Sequence, residues 1–404
     1  MRRLLTIPAV LLLVAGADSF AQTGTFIDRD APGDVRIVSY NINWDSIFPD
    51  DDPNNHGWRD FNMVEEFRRV VVALDPDILC VQEINDSPPR DPNDVADILD
   101  EVLPLDGWEL WRAHQGSDNV IVSRWDLSML RTDTIPTTYR GQAMALVDLP
   151  DVLYSYDLYV MNAHFKAGGG QDNIDRRQKH ADAIIHWIGD IKTPGDYIDL
   201  PAGTPIVTLG DLNVYDTDPH YHLTTLITGN IVFEDIYGPD VVPDWDDTDM
   251  TDAVPWHNGT GGPDFYTWRS DGSSYNPGAL DRFVFTDSAV ASLGNNFVLN
   301  TVTMTQEDRD AAGLEVADVV LDLPGGYYDH LPIVVDVRLP SAVEPDGDVS
   351  LDGHADGEDI SWFVNQAMAG IMGDPLRIAH ADYDANGVIE FVDLPDFLDD
   401  LLGS

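Results

Sequence analysis

Several predicted strands of this sequence end in polar side chains of the kinds that carry catalysis. The stretch "TPIVTLGDLNVYDTDP" (204–219) begins with the apolar residues Ile206, Val207 and Leu209 and continues into Asp211 and Asn213. Residues two apart in an extended segment point the same way, so this carboxylate and this amide could face one cleft. Similar side chains stand at other predicted strand boundaries: Asn41, Asn43, Glu83, His164, Asp281, Asp329 and His330.

Together these residue types suit metal-assisted attack of water on a phosphoryl centre. Carboxylates hold a hard divalent cation, a His–Asp pair orients an imidazole, and amides bind oxygens without adding charge. Taken singly, each residue has an ordinary alternative: an asparagine in a turn, Glu83 as an exposed strand terminus, His164 as a buried core histidine, or His330 as a turn residue. Their joint occurrence at strand ends favours the catalytic interpretation.

A second group of polar residues follows the spacing of a calcium-binding loop. The stretches "DVSLDGHADGED" (348–359) and "DYDANGVIEFVD" (382–393) start 34 residues apart. Each offers oxygen ligands at loop positions 1, 3, 5, 9 and 12, a backbone carbonyl at position 7, and a glycine at position 6 for the sharp turn. Two calcium ions are therefore predicted, with these ligands: Asp348, Ser350, Asp352, His354, Asp356, Asp359, Asp382, Asp384, Asn386, Val388, Glu390 and Asp393.

The elements that must position the first group alternate between short strands and helices. Runs such as "VRIVSYNI", "NVIVSRWDL", "YDLYVMNAHF" and "PIVVDVRL" predict strands. The stretch "FNMVEEFRRVVVALDPDILCVQEI" predicts an amphipathic helix leading into a strand, and Ile184, Ile185 and Ile188 recur at helical spacing. This pattern over the first 300 or so residues predicts a layered α/β sandwich.

Composition limits the classes of partner. The chain has 404 residues and a formal net charge of −50, which argues against a broad electrostatic grip on nucleic acid. The start of the chain, "MRRLLTIPAVLLLVAGADSFAQTG", has the pattern of a secretory signal peptide and is too short an apolar run to span a bilayer. Because Cys80 is the only cysteine, no intrachain disulfide can form.

These features predict five segments and an exported, secreted protein that has no membrane span. They are a signal peptide (1–21), a leader (22–33), a catalytic domain (34–339), a linker (340–345) and a calcium-binding domain (346–404).

In order and context, the strand-end residues resemble the endonuclease/exonuclease/phosphatase superfamily, which includes deoxyribonuclease I. The resemblance runs from about Asp34 to Leu339 and includes "SDNVIVSR" (117–124) and "YRGQAMAL" (139–146). It implies a four-layer α/β sandwich with two mainly antiparallel sheets. It also implies that Glu83 is the principal Mg²⁺ or Mn²⁺ ligand, with Asn41 beside it and Asp329 supporting the metal or its waters.

The same resemblance implies roles in the reaction. Asp211 would orient or deprotonate the attacking water, and Asn213 would bind the phosphoryl oxygens. His330, paired with Asp281, would stabilise the charge that develops on the phosphoryl group. His164 would contact phosphate or protonate the leaving oxygen. Two basic residues would bind substrate: Arg140 and Lys166.

The two calcium loops, lying after a linker and each ending in aspartate, resemble a type I dockerin over residues 346–404. This resemblance implies a small all-α domain that binds a cohesin-type protein when calcium is loaded. The sequence as a whole predicts a secreted, metal-dependent phosphoesterase with a docking module. Two alternatives stay open: an inactive family member that only binds partners, and a sphingomyelinase- or inositol-phosphatase-like enzyme rather than a nuclease.

Overall fold

The computed structural model describes residues 23–49, 62–84, 90–132, 141–195, 197–215, 221–262, 264–270, 274–320, 329–369 and 373–403. The predicted signal peptide (1–21) lies outside them. Contacts divide the chain into two compact units, one of them Gln22–Glu344 and the other containing Pro345–Ser404. Within the described residues, none of the helices is both long enough and apolar enough to span a lipid bilayer.

The first unit contains thirteen strands and six helices in the described residues. The strands are β1 (Val35–Asn41), β2 (Ile78–Gln82), β3 (Arg112–Gly116), β4 (Asn119–Ser123), β5 (Leu127–Arg131), β6 (Gln142–Val147), β7 (Leu158–Ala163), β8 (Ile206–Asp211), β9 (Thr251–Ala253), β10 (Trp256–His257), β11 (Asp281–Phe285), β12 (Ser292–Val298) and β13 (Ile333–Arg338). The helices are α1 (Val64–Leu74), α2 (Asn93–Val102), α3 (Gln171–Lys192), α4 (Tyr221–Thr228), α5 (Glu234–Tyr237) and α6 (Gln306–Ala312).

The strands form two mixed sheets. One has the order β10-β12-β13-β1-β2-β4-β3 and the other β5-β6-β7-β8-β11-β9. Most neighbouring strands are antiparallel, but three pairs are parallel: β1 with β2, β7 with β8, and β10 with β12. The first two of these pairs matter for the site, because they bring the carboxyl ends of adjacent strands to one edge of each sheet.

Side-chain alternation along the strands builds the layers. In β8, Val207 and Leu209 belong to the core between the sheets, whereas Ile206 belongs to a second core beneath α3. Helix α1 buries Phe67, Val70, Val71 and Leu74 at helical spacing. The predicted α/β sandwich is therefore confirmed.

The segment expected to be a leader takes part in the fold. Ile27 lies in the central core, and Arg29 is buried against Asp77, the residue before β2. The expectation of a separate polar leader over residues 22–33 missed this packing, because the partners of the segment lie far away in sequence.

The second unit has its own small core. Its helices are α7 (Asp359–Ala369), α8 (Pro375–Ala379) and α9 (Leu394–Leu402). Phe363 and Phe397 stack with ring centroids 4.2 Å apart and are both buried. No strand occurs among its described residues, in keeping with the small helical domain expected for the C-terminal segment.

Candidate active site

The parallel strands β1 and β2 end side by side in Asn41 and Glu83. The Asn41 side chain donates from Nδ2 to Glu83 Oε1 at 3.2 Å, and its Oδ1 accepts the Asn43 N–H at 3.1 Å. Asn41 therefore orients the Glu83 carboxylate through its Nδ2. Its expected place beside Glu83 at the metal stays a prediction.

In the second sheet, β8 and β11 bring two carboxylates together. Asp211 and Asp281 are directly opposite in the antiparallel register. Gly210, just before Asp211, has φ of 123°, and a Cβ there would lie 2.1 Å from the Ala163 carbonyl oxygen. A glycine is therefore needed for β8 to approach the end of β7 this closely.

His330 links these two carboxylates. Its Nδ1 lies 2.7 Å from Asp281 Oδ2, and its Nε2 lies 3.6 Å from Asp211 Oδ2. Burial acts to lower the pKa of His330, but the charges of Asp281 and Asp211 outweigh it and hold the pKa well above its ordinary value. At neutral pH the ring is therefore an imidazolium that can face negative charge.

A second histidine approaches the same carboxylate from β7. His164 Nε2 lies 3.3 Å from Asp211 Oδ2 and 3.9 Å from Glu83 Oε1. Its Nδ1 lies 2.8 Å from Asp118 Oδ2. Asp118 was not predicted, although it lies in the quoted stretch "SDNVIVSR". Its position in the turn before β4 gave no signal, because only the packing of the two sheets brings it to His164.

Asp211 thus lies at the centre of the group. Its Oδ2 accepts from Asn41 Nδ2 at 3.2 Å and lies close to both histidines, and its Oδ1 accepts the Asn213 N–H at 3.0 Å. Burial acts to raise the pKa of Asp211, but the charge on His330, the bond to His164 and the Asn213 N–H hold the pKa well below its usual range. The carboxylate is therefore ionised and better suited to orienting a water than to keeping a proton.

Asn213 is fixed in the turn that follows β8. Its φ of 49° is in the left-handed region, which asparagine tolerates better than most residues. Its Nδ2 donates to the Phe165 carbonyl at 3.1 Å, and its Oδ1 accepts from the Tyr215 hydroxyl at 2.8 Å. Among the described residues, the second Nδ2 hydrogen has no protein acceptor, and the expected contact of Asn213 with a phosphoryl oxygen stays a prediction.

The donors of this site suit a hard divalent cation. Glu83, the side chain of which is 14% exposed, can be reached from solvent. Asp211, Asp281 and His330 also place ligand atoms within 4.8 Å of one another. Hydrogen bonding also accounts for this trio, because His330 lies 2.7 Å from Asp281 Oδ2 and 3.6 Å from Asp211 Oδ2. Glu83 then remains the first candidate for holding Mg²⁺ or Mn²⁺ through oxygen.

Three further predicted residues are Arg140, Asp329 and Lys166. Arg140 lies outside the described residues. Asp329 lies beside His330 and its charge helps to raise the pKa of that ring, but its described hydrogen bond is from the Arg269 N–H to its backbone carbonyl at 3.4 Å. Lys166 follows His164 by two residues, and its carbonyl accepts from Arg177 at 2.7 Å.

In the second unit, the two predicted calcium loops are bonded alike. The first carboxylate of each loop accepts the N–H of the loop glycine at 2.7 Å, Gly353 to Asp348 and Gly387 to Asp382. Burial raises the pKa of Asp382 to about 6. Carboxylate oxygens of Asp382, Asp384 and Asp393 lie within 4.8 Å of one another, a spacing that could hold a cation.

Comparisons with known proteins place the first unit in a family. No curated protein matches the chain. Among solved structures, it is similar to TDP2 of D. rerio complexed with a single-strand DNA product, with 14% identity, 76% of this chain and 99% of that chain covered, and a TM-score of 0.44. It is also similar to sphingomyelinase C from Streptomyces griseocarneus, with 13% identity, 76% and 99% coverage, and a TM-score of 0.43. Residues 38–296 match the model of the Endonuclease/Exonuclease/phosphatase family, and the chain therefore belongs to that family.

Proposed function

We propose that this protein is a divalent-metal-dependent phosphoesterase that hydrolyses phosphodiester or phosphomonoester bonds by attack of an activated water. One observation carries the proposal. The ends of strands from both sheets bring Glu83, Asp211 and His330 into one connected group, linked through Asn41 and His164. Family membership supports the reaction class, because the family consists of nucleases and phosphatases.

Each side chain of this group has a task that its contacts support. Asp211, ionised and held by three side chains, orients the attacking water and takes up its proton as the new P–O bond forms. The His330 imidazolium, backed by Asp281, faces the charge that develops on the phosphoryl oxygens. His164, oriented by Asp118, gives a proton to the leaving oxygen.

A divalent cation suits the same group of strand-end side chains. Glu83 would hold it, with Asn41 fixing the direction of the carboxylate. When bound, the cation would polarise a phosphoryl oxygen as a Lewis acid.

The remainder of the chain supports export and tethering. The first 21 residues have the pattern of a signal peptide. The two matching loops of the second unit support binding of two calcium ions, and their tandem arrangement supports a dockerin-like module for a cohesin-type partner.

The direct test is hydrolysis of DNA, bis-nitrophenyl phosphate, nitrophenyl phosphate and sphingomyelin, each with Mg²⁺, Mn²⁺ or Ca²⁺. We expect turnover of at least one substrate that depends on the cation and that Glu83→Gln and His330→Ala abolish. The preferred substrate distinguishes a nuclease from a phosphatase or a sphingomyelinase. Turnover retained in both variants would contradict the assignment, and a folded protein that hydrolyses none of the substrates would favour an inactive binding protein.

The calcium proposal has a separate test on the full chain. Chelation should expose the second unit to proteolysis while the first unit stays resistant, because metal binding and folding are coupled in such loops. Asp382→Asn should reproduce the effect of the chelator. An unchanged cleavage pattern in chelator would contradict the proposal.

A further inference from the structure

Tyr215 lies against Asn213 and has no role in the reaction proposed above. Its hydroxyl donates to Asn213 Oδ1 at 2.8 Å. Burial raises the pKa of Tyr215 to about 12, so the phenol keeps its proton at neutral pH and remains a donor. The bond determines which end of the Asn213 amide faces the site, since it directs the oxygen towards Tyr215.

The ring of Tyr215 is itself supported by a buried cation. The Arg177 guanidinium carbon lies 5.4 Å from the centre of the ring. Arg177 is completely buried and donates to the carbonyls of Lys166 at 2.7 Å and Gly168 at 2.9 Å. The loop after His164 is therefore tied to the same aromatic ring.

A second tyrosine packs against the Tyr215 ring and is exposed to solvent. The rings of Tyr215 and Tyr275 have centroids 5.2 Å apart and an interplanar angle of 36°. Tyr275 is 38% exposed. A Cβ at position 169 would lie 2.8 Å from its hydroxyl, so Gly169 allows the loop and the ring to meet. The two tyrosines, here called the tyrosine pair, run from Asn213 to the surface.

We propose that the tyrosine pair stacks on a planar, uncharged ring of the substrate, which makes nucleotide phosphodiesters the substrate class, and that Tyr215 is also a positioning residue for Asn213. The proposal rests on the phosphoesterase function proposed above. Aromatic faces bind nucleobases without regard to sequence. They also bind quaternary ammonium groups such as choline, but Arg177 already lies over Tyr215, and a second cation there would be repelled.

The test compares esters that share one leaving group. The substrates are the nitrophenyl phosphodiester of thymidine, methyl nitrophenyl phosphate and nitrophenylphosphorylcholine, assayed on the full chain with Mn²⁺. We expect the wild type to have its highest kcat/KM on the thymidine ester. Tyr275→Ala should lower the thymidine-to-methyl ratio of kcat/KM by about 5- to 100-fold, the range that base stacking on an aromatic ring is worth.

Matched variants separate stacking from folding and from positioning. Tyr197→Ala removes another exposed tyrosine, 78% exposed, and should leave the ratio as in the wild type. Tyr275→Phe keeps a ring and should restore the ratio. Tyr215→Phe keeps the ring but loses the bond to Asn213, so it should lower kcat for the thymidine and methyl esters alike.

The possible failures are distinguishable. If no ester is hydrolysed, the proposed function fails. If the wild type hydrolyses thymidine and methyl esters equally well, or if Tyr275→Ala lowers both rates equally, the stacking proposal is wrong while the phosphoesterase stands. A preference for the choline ester that Tyr275→Ala removes would replace the nucleobase with a quaternary ammonium group. Unchanged kcat in Tyr215→Phe would overturn the positioning role.

Discussion

Carboxylates lie at both ends of β1 and β2, but different side chains hold them. Where the strands begin, Asp77 bonds to Arg29 and lies 3.1 Å from Arg124 Nε. Beside it, Arg36 makes two bonds to Asp336, at 2.7 and 2.8 Å. Each of these carboxylates is neutralised by a group that keeps its proton at any pH the protein meets.

Where the same strands end, the described side chains that contact the carboxylates are asparagine and histidine. Asn41 bridges Glu83 and Asp211 at 3.2 Å to each. His164 and His330 both approach Asp211. Imidazole is the side chain that exchanges protons near neutral pH. One end of the sheet thus holds its carboxylates with arginines that keep their protons, whereas the other holds them with side chains that include imidazoles able to exchange protons.

The largest effect should come from removing an imidazole at the strand ends. His330→Ala should lower kcat by about 10²- to 10³-fold, the usual cost of removing one donor that faces developing charge. Turnover and circular dichroism on the same preparation check this. His186→Ala, an exposed histidine of α3, is the matched control. If His330→Ala kept the turnover of the wild type, the proposed difference between the two ends of the sheet would be contradicted.

At the arginine end, the effect should fall on stability. Asp77→Asn leaves the buried Arg29 and the half-buried Arg124 without their shared anion, which should cost about 3–5 kcal/mol in the free energy of unfolding at pH 7. The turnover of the folded fraction should stay at the wild-type value. Urea denaturation measures the free energy of unfolding, and the substrate assay measures the turnover of the folded fraction.

The effect of Asp77→Asn should also depend on pH. Burial acts to raise the pKa of Asp77, but Arg29 and Arg124 outweigh it and lower the pKa. A carboxyl with a lowered pKa stabilises the fold above its unfolded value, about 3.9, and the stabilisation is lost as pH falls through the folded value. The difference between wild type and variant should therefore be full at pH 7 and shrink below about pH 4. A difference that grows on acidification would contradict this.

A smaller catalytic effect should follow from changing the orientation of His164. Asp118→Asn should lower kcat by about 10- to 100-fold, the usual cost of losing an acidic partner of a functional histidine, with KM less affected. It should also shift the pH profile of kcat, which a purely structural role would not do. A loss of folded protein without such a shift would count against the proton-transfer role of His164.

The smallest effect should come from an exposed ion pair. Asp126 bonds to Arg112 at 2.7 Å, with side chains 69% and 41% exposed. Asp126→Asn should change the free energy of unfolding by about 1 kcal/mol or less and leave turnover as in the wild type. It is the matched control for Asp77→Asn and Asp118→Asn, and a large effect would show that amide substitution itself disturbs this fold.

The sequence predicted the strand-end residues because their signal is local. An apolar run ending in Asp211, Glu83 or His164 can be recognised without knowing any partner, and two sheets suffice to bring such ends together. The amide orientation of Asn41 and the bond of Asp118 to His164 could not be predicted, because they depend on contacts between segments distant in sequence.

The same limit applies to the fold. Strands β7, β8 and β13 are predicted from their apolar side chains, whereas β3, "RAHQG", and β12, "SLGNNFV", are too polar to be recognised as strands. The packing of Arg29 against Asp77, 48 residues away, was missed for a similar reason. Local sequence patterns predict individual helices and strands. They do not reveal ion pairs between residues that are distant in sequence.

The most direct test is a cation titration of turnover in Glu83→Gln and the wild type, with thermal unfolding followed in parallel. If a carboxylate at the strand ends serves to hold a cation for water attack, wild-type turnover will rise with Mn²⁺ and saturate. The variant will stay inactive at every concentration, with an unfolding midpoint no lower than that of the wild type. A variant that turns over substrate as fast as the wild type, or one that is inactive only because it unfolds, would contradict the account.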